Sequence, residues 1–365
     1  MIGFAKGHVK GIMGHFARRP EVEWVAFADV PPAVPERWHH RSSRTDNMRA
    51  AREEIRIPTY YEDWRQLLDR ERLDLVIFCC ENSQDGEVAE AIAAHGAHMV
   101  TEKPIGATLP EALRMARAAR LNGVELFVNW PTTWSPAVRT AKRLVDEGAI
   151  GKVWEVKYRA GSMGPMSHGS VHPDGSPIGD AEKGSLWWYR SGTGGGALLD
   201  YCCYGACLAR WFVGEPAVAA QGLTANLRSA FGSVDDNAII AIRFREALGL
   251  LEATWSTVDH GVPGGPIVFG DTGTIVVERT PDRQRVRVAR GRGEPGEEVE
   301  PDPLPEGRGD LASELLHHFE TGEPVHPTLD LPINLDAAAI LDAGIRSAQT
   351  RKTELVDDAR WSVEP

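Results

Sequence analysis

The sequence lacks any hydrophobic run that approaches the roughly 20 apolar residues a helix needs to cross a bilayer. Its opening residues, MIGFAKGHVKG, are too short and too rich in glycine for a signal peptide. We therefore predict a cytoplasmic protein without a membrane partner.

Cysteine is scarce, with 5 residues in a chain of 365. All five lie in apolar stretches, and none forms a CxxC pair that is matched by a second pair or by spaced histidines. This pattern fits buried free thiols in a reducing cytosol better than a disulfide framework or a zinc site. The pairs His39-His40 and His317-His318 also lack further ligands at metal spacing, so no metal is predicted.

Positive charge is in deficit, because 40 Lys and Arg residues face 52 Asp and Glu residues and the formal net charge is -12. An acidic surface repels phosphate backbones, so nucleic acid is not expected as a partner. Acidity does not exclude a small anionic substrate, since a local pocket can be basic. The length predicts two domains, and the 42% of hydrophobic residues is enough for two cores.

The N-terminal third alternates short apolar runs with helical patterns, which is typical of a parallel, doubly wound α/β sheet with right-handed crossovers. Strands are predicted at Met1–Phe4, Val22–Ala28, Leu73–Cys80, Ala97–Thr101 and Val124–Val128. Helices are predicted at Glu62–Arg70, Gly86–His95 and Leu109–Leu121. We assign residues 1–128 to a Rossmann domain that binds a dinucleotide.

The pattern changes at Asn129–Pro136 (NWPTTWSP), a stretch that contains two prolines and two tryptophans. We therefore assign residues 129–365 to the second domain. A long loop is predicted over 161–196 and an exposed charged loop over 290–308. The regular elements expected are Pro136–Glu147, Val153–Arg159, Ala238–Phe244, Leu250–Thr257, Pro266–Phe269 and Thr274–Glu278, with closing helices near 309–321 and 333–348. We predict an α+β domain with a large open sheet, mainly antiparallel or mixed.

The turn Gly3–Gly11 (GFAKGHVKG) is an imperfect dinucleotide fingerprint. Ala5 stands where the first glycine is expected, Gly7 matches the second, and Lys10 precedes Gly11 where the third belongs. Taken alone, the turn fits an ordinary surface turn equally well.

Asp29 strengthens the nucleotide interpretation, because it ends the second apolar run 22 residues after Gly7, close to the spacing of about 20 expected for a ribose-binding acid. A carboxylate there accepts hydrogen bonds from a ribose 2′-hydroxyl and repels a 2′-phosphate. NAD is therefore favoured as cofactor. NADP is not excluded, since Arg37, Arg41 and Arg44 follow and can reverse the preference.

Two short motifs follow neighbouring strands and therefore lie at the carboxyl edge of the predicted sheet, where ligands bind in doubly wound folds. They are Cys80-Glu81-Asn82-Ser83 and Thr101-Glu102-Lys103-Pro104. Far downstream, Gly194–Asp200 (GGGALLD) is predicted to open a helix that runs to Phe212 and ends at Gly214.

Together these motifs resemble the Gfo/Idh/MocA oxidoreductase family. The resemblance covers nearly the whole chain and includes Tyr61–Asp69, Glu102-Lys103-Pro104, Ala149–Val153 (AIGKV), the GGGALLD segment and Asn334–Ala348. It implies a Rossmann domain followed by a domain whose open sheet often forms the oligomer interface, and so a homodimer or homotetramer. The family places the lysine of the EKP motif, here Lys103, in the active site.

The downstream family motif is usually Asp-x-x-x-His, whereas this chain has Asp200-x-x-x-Tyr204, a variant found in the dihydrodiol dehydrogenase and glucose–fructose oxidoreductase branches. The cofactor is expected to contact the glycine-rich turn, the ribose acid and the sheet edge. These cofactor-binding residues are Ala5, Lys6, Gly7, His8, Val9, Asp29, Cys80, Glu81, Asn82, Asp85, Glu102 and Lys103.

Asp200 and Tyr204 are four residues apart, so on a helix they share one face. Hydride transfer from an alcohol carbon needs a base for the hydroxyl proton, and a nearby lysine ammonium favours a tyrosine phenolate. We predict that Tyr204 accepts the proton, that Lys103 stabilises the phenolate and the alkoxide-like oxygen, and that Asp200 orients the substrate hydroxyl or Lys103. The reverse assignment, with Lys103 as the base, stays open.

Five further residues are predicted to contact the substrate: Asn129, Trp130, His168, Trp188 and Arg190. Aromatic faces suit the C–H faces of sugars, while Asn and Arg suit hydroxyls and carboxylates; a core or interface role is the alternative for each tryptophan. The function predicted is NAD(P)-dependent hydride transfer to or from a sugar, cyclitol, sugar acid or related diol. Two alternatives are a glycoside-cleaving enzyme that recycles its NAD and an inactive cofactor-binding regulator.

Overall fold

A computed structural model describes residues 1–37, 43–165, 172, 175–259, 261–280, 283–293 and 295–356. Arg41, the pair His39-His40 and the predicted substrate contact His168 lie outside these ranges. No helix within them is both long and apolar enough to cross a membrane.

The N-terminal domain is a parallel sheet with helices between its strands. Its strands are β1 (Ala26–Ala28), β2 (Thr59–Tyr61), β3 (Leu75–Phe78), β4 (His98–Glu102) and β5 (Leu126–Asn129). Its helices are α1 (Val9–Ala17), α2 (Arg44–Ala50), α3 (Trp64–Arg70), α4 (Asp85–Ala94) and α5 (Leu109–Leu121). Single parallel bridges from Ile2 to Ala28 and to Phe78 join the pair β1–β2 to the row β3–β4–β5. The predicted Rossmann fold is confirmed.

The predicted strand Met1–Phe4 is reduced to that bridge at Ile2, because Gly3 leaves extended geometry with a φ of 75°. Helix α5 has the predicted bounds: Thr108 caps it by accepting a hydrogen bond from the Glu111 amide at 3.3 Å. Helices α1 and α2 were not predicted. Their short apolar patterns are interrupted by glycine and charge, and tertiary packing stabilises them.

The second domain contains nine strands in its described part. They are β6 (Val153–Gly161), β7 (Ala219–Ala225), β8 (Asn237–Arg243), β9 (Leu248–Thr254), β10 (Ile267–Gly270), β11 (Gly273–Arg279), β12 (Gln284–Ala289), β13 (Glu297–Val299) and β14 (Glu354–Leu355). The helices are α6 (Pro136–Asp146), α7 (Asp180–Lys183), α8 (Cys203–Val213), α9 (Leu311–Thr321) and α10 (Leu331–Thr350). The strand order is β13-β12-β11-β10-β6-β9-β8-β7-β14, antiparallel except for β6–β9, so the predicted mixed sheet is confirmed.

One face of this sheet is covered by α8 and α10. A Cβ added to Gly222 on β7 would lie 2.0 Å from the Gly344 carbonyl oxygen of α10, so only glycine permits this approach. On the opposite face Leu223, Ile239 and Leu248 are 68%, 42% and 44% exposed. Strand alternation thus gives the sheet one buried and one open face.

The C-terminal part of the chain also completes the first domain. Leu311 and Leu315 of α9 share a core with Ile12 and Phe16 of α1, and the Val128 amide donates to the Leu329 carbonyl at 3.0 Å. The division between residues 128 and 129 stays a prediction, but the segment after residue 311 does not pack with the second domain alone.

Candidate active site

The candidate site lies where the two domains meet. Lys103 directly follows β4 at the carboxyl edge of the Rossmann sheet, and Asp200 lies in the π-helical turn Leu198–Cys202 that leads into α8. The Lys103 ammonium donates to Asp200 Oδ1 at 2.8 Å and to the Asp200 carbonyl at 2.7 Å. Residues 97 positions apart in sequence therefore form one ion pair, with Lys103 buried and Asp200 partly exposed.

Tyr204 lies one turn further along the same helical segment. The Lys103 Nζ is 4.5 Å from the centroid of its ring, a cation–π contact. Trp130 packs edge-on at 5.5 Å and Tyr158 stacks at 6.3 Å. Within the described ranges no group makes a hydrogen bond with the Tyr204 hydroxyl, which leaves it available to a ligand.

The charges at this site differ from the prediction. Burial raises the pKa of Tyr204 well above 10, and the lowering effect of Lys103 does not compensate. Burial also opposes the charge on Lys103, but the Asp200 carboxylate and the other nearby acidic groups, Glu102 among them, together outweigh it and raise the pKa of the ammonium. Lys103 lies over the ring rather than at the hydroxyl, and its charge is balanced by Asp200. These effects favour the neutral phenol at Tyr204 over the predicted phenolate.

Trp255, which sequence reasoning missed, completes the cluster. Its indole N–H donates to Asp200 Oδ2 at 3.1 Å, so both carboxylate oxygens are engaged. The sequence held only a weak indication of this role, because Trp255 lies near the end of the predicted strand Leu250–Thr257 and nothing in the sequence places it beside Asp200.

Asp235 anchors the π-helical turn to the sheet. Its Oδ2 accepts from the Leu198 amide at 2.8 Å and its carbonyl accepts from the Ala197 amide at 3.0 Å. Burial raises the pKa of Asp235 to about 6. The backbone that carries Asp200 is thus held by an acid whose ionisation costs folding free energy.

This gives a stability prediction for Asp235→Asn. The folded-state pKa of Asp235 exceeds its ordinary value of 3.8, so the protonated carboxyl group stabilises the fold fully below pH 3.8. This stabilisation is lost as the pH rises through about 6. Relative to the wild type, the variant should gain roughly 2–3 kcal/mol in free energy of unfolding between pH 4 and pH 8. Denaturant unfolding at both pH values measures this gain; an equal difference between the proteins at both would contradict it.

The nucleotide turn is built on Gly3. Its φ of 75° and its approach to Cys80, whose Sγ would lie 2.7 Å from an added Cβ, exclude other residues. The structure therefore places the tight turn at Gly3 rather than at Ala5. Helix α1 begins after His8 with no side-chain cap and no acid in its first turn, and a Cβ on Gly7 would meet nothing within 4 Å. Free amides that face open space fit a pyrophosphate.

Lys6 is the exception among the predicted cofactor contacts of this turn. It is 1% exposed, and its ammonium donates to Asp85 Oδ2 at 2.9 Å and to the Glu102 carbonyl at 2.8 Å. The side chains of Lys6 and Asp85 are thus committed to each other beneath the turn, which does not fit direct contact with phosphate. His8 Nδ1 lies 2.7 Å from Glu102 Oε1 and joins the turn to the EKP motif.

Asp29 lies at the end of β1 with a buried arginine beside it. Its Oδ1 accepts from the Phe4 amide at 3.1 Å and from Arg44 Nη1 at 3.0 Å. Arg44 Nη2 also donates to Glu81 Oε1 at 2.9 Å. Burial raises the pKa of Asp29 although Arg44 acts to lower it. Burial also raises the pKa of Glu81 to about 7. The charge of Arg44 is thus shared by carboxylates and is not free for a 2′-phosphate.

Four predicted substrate contacts lie within the described residues, and the structure supports them unequally. Trp130 is 1% exposed and donates to Asn334 Oδ1 at 2.8 Å, which does not fit substrate contact. Asn129 is buried and accepts from Trp134 Nε1 at 3.1 Å. Trp188 stacks on Trp187 at 3.9 Å.

Arg190 donates to the Gly184 carbonyl at 3.0 Å and lines a surface cavity of about 540 Å³ with Arg37, away from Lys103. Tyr158 on β6, whose ring stacks on Tyr204 at 6.3 Å, is another side chain beside the pair Lys103–Tyr204 that sequence reasoning missed. Tyr158 belongs to no recognisable motif, because a residue on the inner face of a strand is expected to be part of the hydrophobic core.

The second domain also borders the nucleotide edge. Trp187 Nε1 donates to the Ala5 carbonyl at 3.2 Å, Asn82 Nδ2 donates to the Gly194 carbonyl at 2.8 Å, and the Arg37 amide donates to Ser185 Oγ at 3.1 Å. The segment 185–194 therefore crosses the edge where a dinucleotide binds in this fold.

Comparison with protein families gives two matches that together cover most of the chain. Residues 38–130 match the oxidoreductase family with an NAD-binding Rossmann fold, and residues 138–276 match the GFO/IDH/MocA C-terminal domain. One match falls in each of the two domains described above.

Two curated relatives of this chain are named as dehydrogenases of polyhydroxylated compounds. Levoglucosan dehydrogenase of Pseudarthrobacter phenanthrenivorans is 28% identical over 66% of this chain and 63% of its own length. scyllo-Inositol 2-dehydrogenase (NAD(+)) of Bacillus subtilis is 26% identical over 78% of both chains. The first of these matches spans less than two thirds of the relative. The crystal structure of the aldose-aldose oxidoreductase from Caulobacter crescentus superposes with a TM-score of 0.75 at 22% identity, over 97% of this chain and 98% of that one, and shows the shared fold.

Proposed function

Since the chain belongs to the Gfo/Idh/MocA family of oxidoreductases, we propose that it oxidises a secondary hydroxyl, or reduces the ketone, of a sugar, cyclitol, sugar acid or related diol. The observation that carries the proposal is the ion pair Lys103–Asp200 beside Tyr204, at the junction of the two domains. Ammonium and phenol are the two donors that an oxygen changing between carbonyl and alkoxide requires. The curated relatives act on compounds of this class.

The residues around the turn fit a nicotinamide dinucleotide. The uncapped start of α1 suits the pyrophosphate, and Asp29, with Glu81 close by, suits the adenosine ribose. When bound, the cofactor supplies the hydride or accepts it.

The protein's own residues handle the proton. In the direction of reduction, the neutral Tyr204 hydroxyl donates its proton to the carbonyl oxygen of the substrate, while the Lys103 ammonium stabilises the charge that develops there. Asp200 keeps Lys103 charged and in place. In the direction of oxidation the same hydroxyl must first lose its proton, and its raised pKa makes this step demand higher pH.

The proposal is tested by a panel of sugars, cyclitols, aldonic acids and diols with NAD⁺ and with NADP⁺, followed at 340 nm. We expect turnover of at least one class with NAD⁺. Product formation without net NADH would favour the alternative in which a retained cofactor is recycled. Saturable NAD⁺ binding without turnover on any compound would favour a regulator.

Asp29 is expected to set the cofactor preference. Asp29→Ser removes the ribose acid, whose charge repels a 2′-phosphate, and releases one of the two hydrogen bonds of Arg44 Nη1, the other going to the Val30 carbonyl. The ratio of NADP⁺ to NAD⁺ affinity should rise by about 100-fold, the order of removing one close like-charge contact. Binding is measured by tryptophan fluorescence, with Asp69→Ser, whose carboxylate is 70% exposed, as the matched control. An unchanged ratio would remove Asp29 from the ribose site.

The open face of the large sheet is proposed as the interface of a homodimer or homotetramer. Leu223 and Ile239 are register partners on β7 and β8, and Leu248 adds exposed apolar surface on the same face of β9, opposite Arg243. Sedimentation of the wild type and of Leu223→Glu checks this proposal, since the charge should dissociate the assembly.

We also propose a cytoplasmic location, supported by five unpaired, buried cysteines.

A further inference from the structure

Trp255 is held rigidly at the edge of the site. It directly follows β9 and is 2% exposed, and its amide donates to the Asp236 carbonyl at 2.7 Å. The ring packs edge-on against Tyr189 at 5.3 Å. Sheet and aromatic contacts therefore fix the direction of its indole N–H.

That N–H completes the environment of the Asp200 carboxylate. Oδ1 accepts from Lys103 at 2.8 Å and Oδ2 accepts from Trp255 at 3.1 Å. An indole nitrogen can only donate, so the oxygen that faces it must remain an acceptor. Hydrogen bonds to a carboxylate are stronger than neutral ones, and two of them on different oxygens hold the group in a single orientation.

The fixed orientation of the Asp200 carboxylate also affects Tyr204. The Asp200 orientation presents Oδ1 to Lys103, whose ammonium then lies 4.5 Å from the Tyr204 ring centroid. We infer that Trp255 is a positioning residue that acts through Asp200 to hold the Lys103 ammonium at Tyr204. This inference rests on the proposed function, because it gives Trp255 a role in the reaction assigned to Lys103 and Tyr204.

A purely structural role predicts something different. If Trp255 only fills space against Tyr189, then Trp255→Phe, which keeps an aromatic ring and loses the N–H, should change stability but not the chemistry. If it positions Asp200, the same variant should lower kcat by about tenfold, the worth of one hydrogen bond to a charged group. KM for NAD⁺ should stay within about twofold, since the contacts of Trp255 among the described residues, with Asp200, Tyr189 and Asp236, lie outside the nucleotide turn.

The activity test has two arms. In Trp255→Phe the pH profile of kcat should shift, because Asp200 can turn away from Lys103 and no longer fixes its charge. In an Asp200→Ala background, Trp255→Phe should cause no further loss. The matched control is Trp154→Phe, whose ring is 43% exposed and packs on Phe269, and which should behave as the wild type. An unchanged pH profile in Trp255→Phe would overturn the inference while leaving the proposed function intact.

A second readout needs no substrate. The denaturant midpoints of the wild type, Trp255→Phe, Asp200→Ala and the double variant form a double-mutant cycle. The two single shifts should sum to more than the shift of the double variant, because each removes the same hydrogen bond. Additive shifts would contradict coupling between Trp255 and Asp200, even if no substrate of the enzyme were found and the proposed function failed.

Discussion

Lys103→Met is expected to lose turnover by roughly 1,000-fold, the scale of removing a charged group from the reacting oxygen. The methionine fills a similar volume but provides no ammonium to stabilise the developing alkoxide, and Asp200 loses its partner at Oδ1. Affinity for NAD⁺ should stay within about threefold, since the uncapped start of α1 and Asp29 are untouched. Initial rates at 340 nm and fluorescence titration measure the two quantities.

Folding must be checked in the same variant, because an unpaired carboxylate next to Trp255 is costly. Lys103→Arg keeps a positive charge and should recover part of the rate. Lys152→Met, whose side chain is 58% exposed, is the matched control and should be fully active. A folded Lys103→Met enzyme with near-normal turnover would take Lys103 out of the chemistry.

Tyr204→Phe is expected to lower the rate by about 100-fold near neutral pH, since it removes the hydroxyl and keeps the ring under the Lys103 ammonium. Burial raises the pKa of Tyr204 well above 10, so the wild-type phenol is protonated over the whole working range. Ketone reduction by the wild type should therefore be flat from about pH 6 to pH 9, whereas alcohol oxidation should rise with pH throughout.

The pH profile of the oxidation rate distinguishes proton transfer by Tyr204 from proton transfer by Lys103. If Tyr204 handles it, the rise of the oxidation rate with pH should vanish or flatten in Tyr204→Phe. If the profile keeps its shape and only its height changes, the proton passes through Lys103 or water. Tyr60→Phe on β2, which is 41% exposed, is the matched control.

The fold was largely predictable, because the spacing of apolar residues and the positions of capping and turn residues are local properties of the sequence. The cap Thr108 and the apolar spacing predicted α5 with both of its ends, and the run at Leu73–Cys80 predicted the buried strand β3. What failed depends on distant partners. Helix α9 completes the core of α1 through Leu311 and Leu315, a contact that no local pattern reveals.

The site shows the same limit. Sequence motifs pointed to Lys103 and Asp200, and their distance was settled by the approach of two domains. The predicted phenolate at Tyr204 stays a prediction that the direction of its pKa does not favour, because burial outweighs the lowering effect of Lys103. Trp255 carried no motif, since a donor aimed at Asp200 looks in sequence like any strand-end aromatic.

The central claim is that one substrate oxygen is held between the Lys103 ammonium and the Tyr204 hydroxyl. A crystal structure of the complex with NADH and a bound polyol tests it most directly. We predict a substrate oxygen within hydrogen-bonding distance, about 3 Å, of both Lys103 Nζ and the Tyr204 hydroxyl, with its carbon facing the nicotinamide. A polyol bound elsewhere, with those two groups still in contact only with protein, would contradict the account.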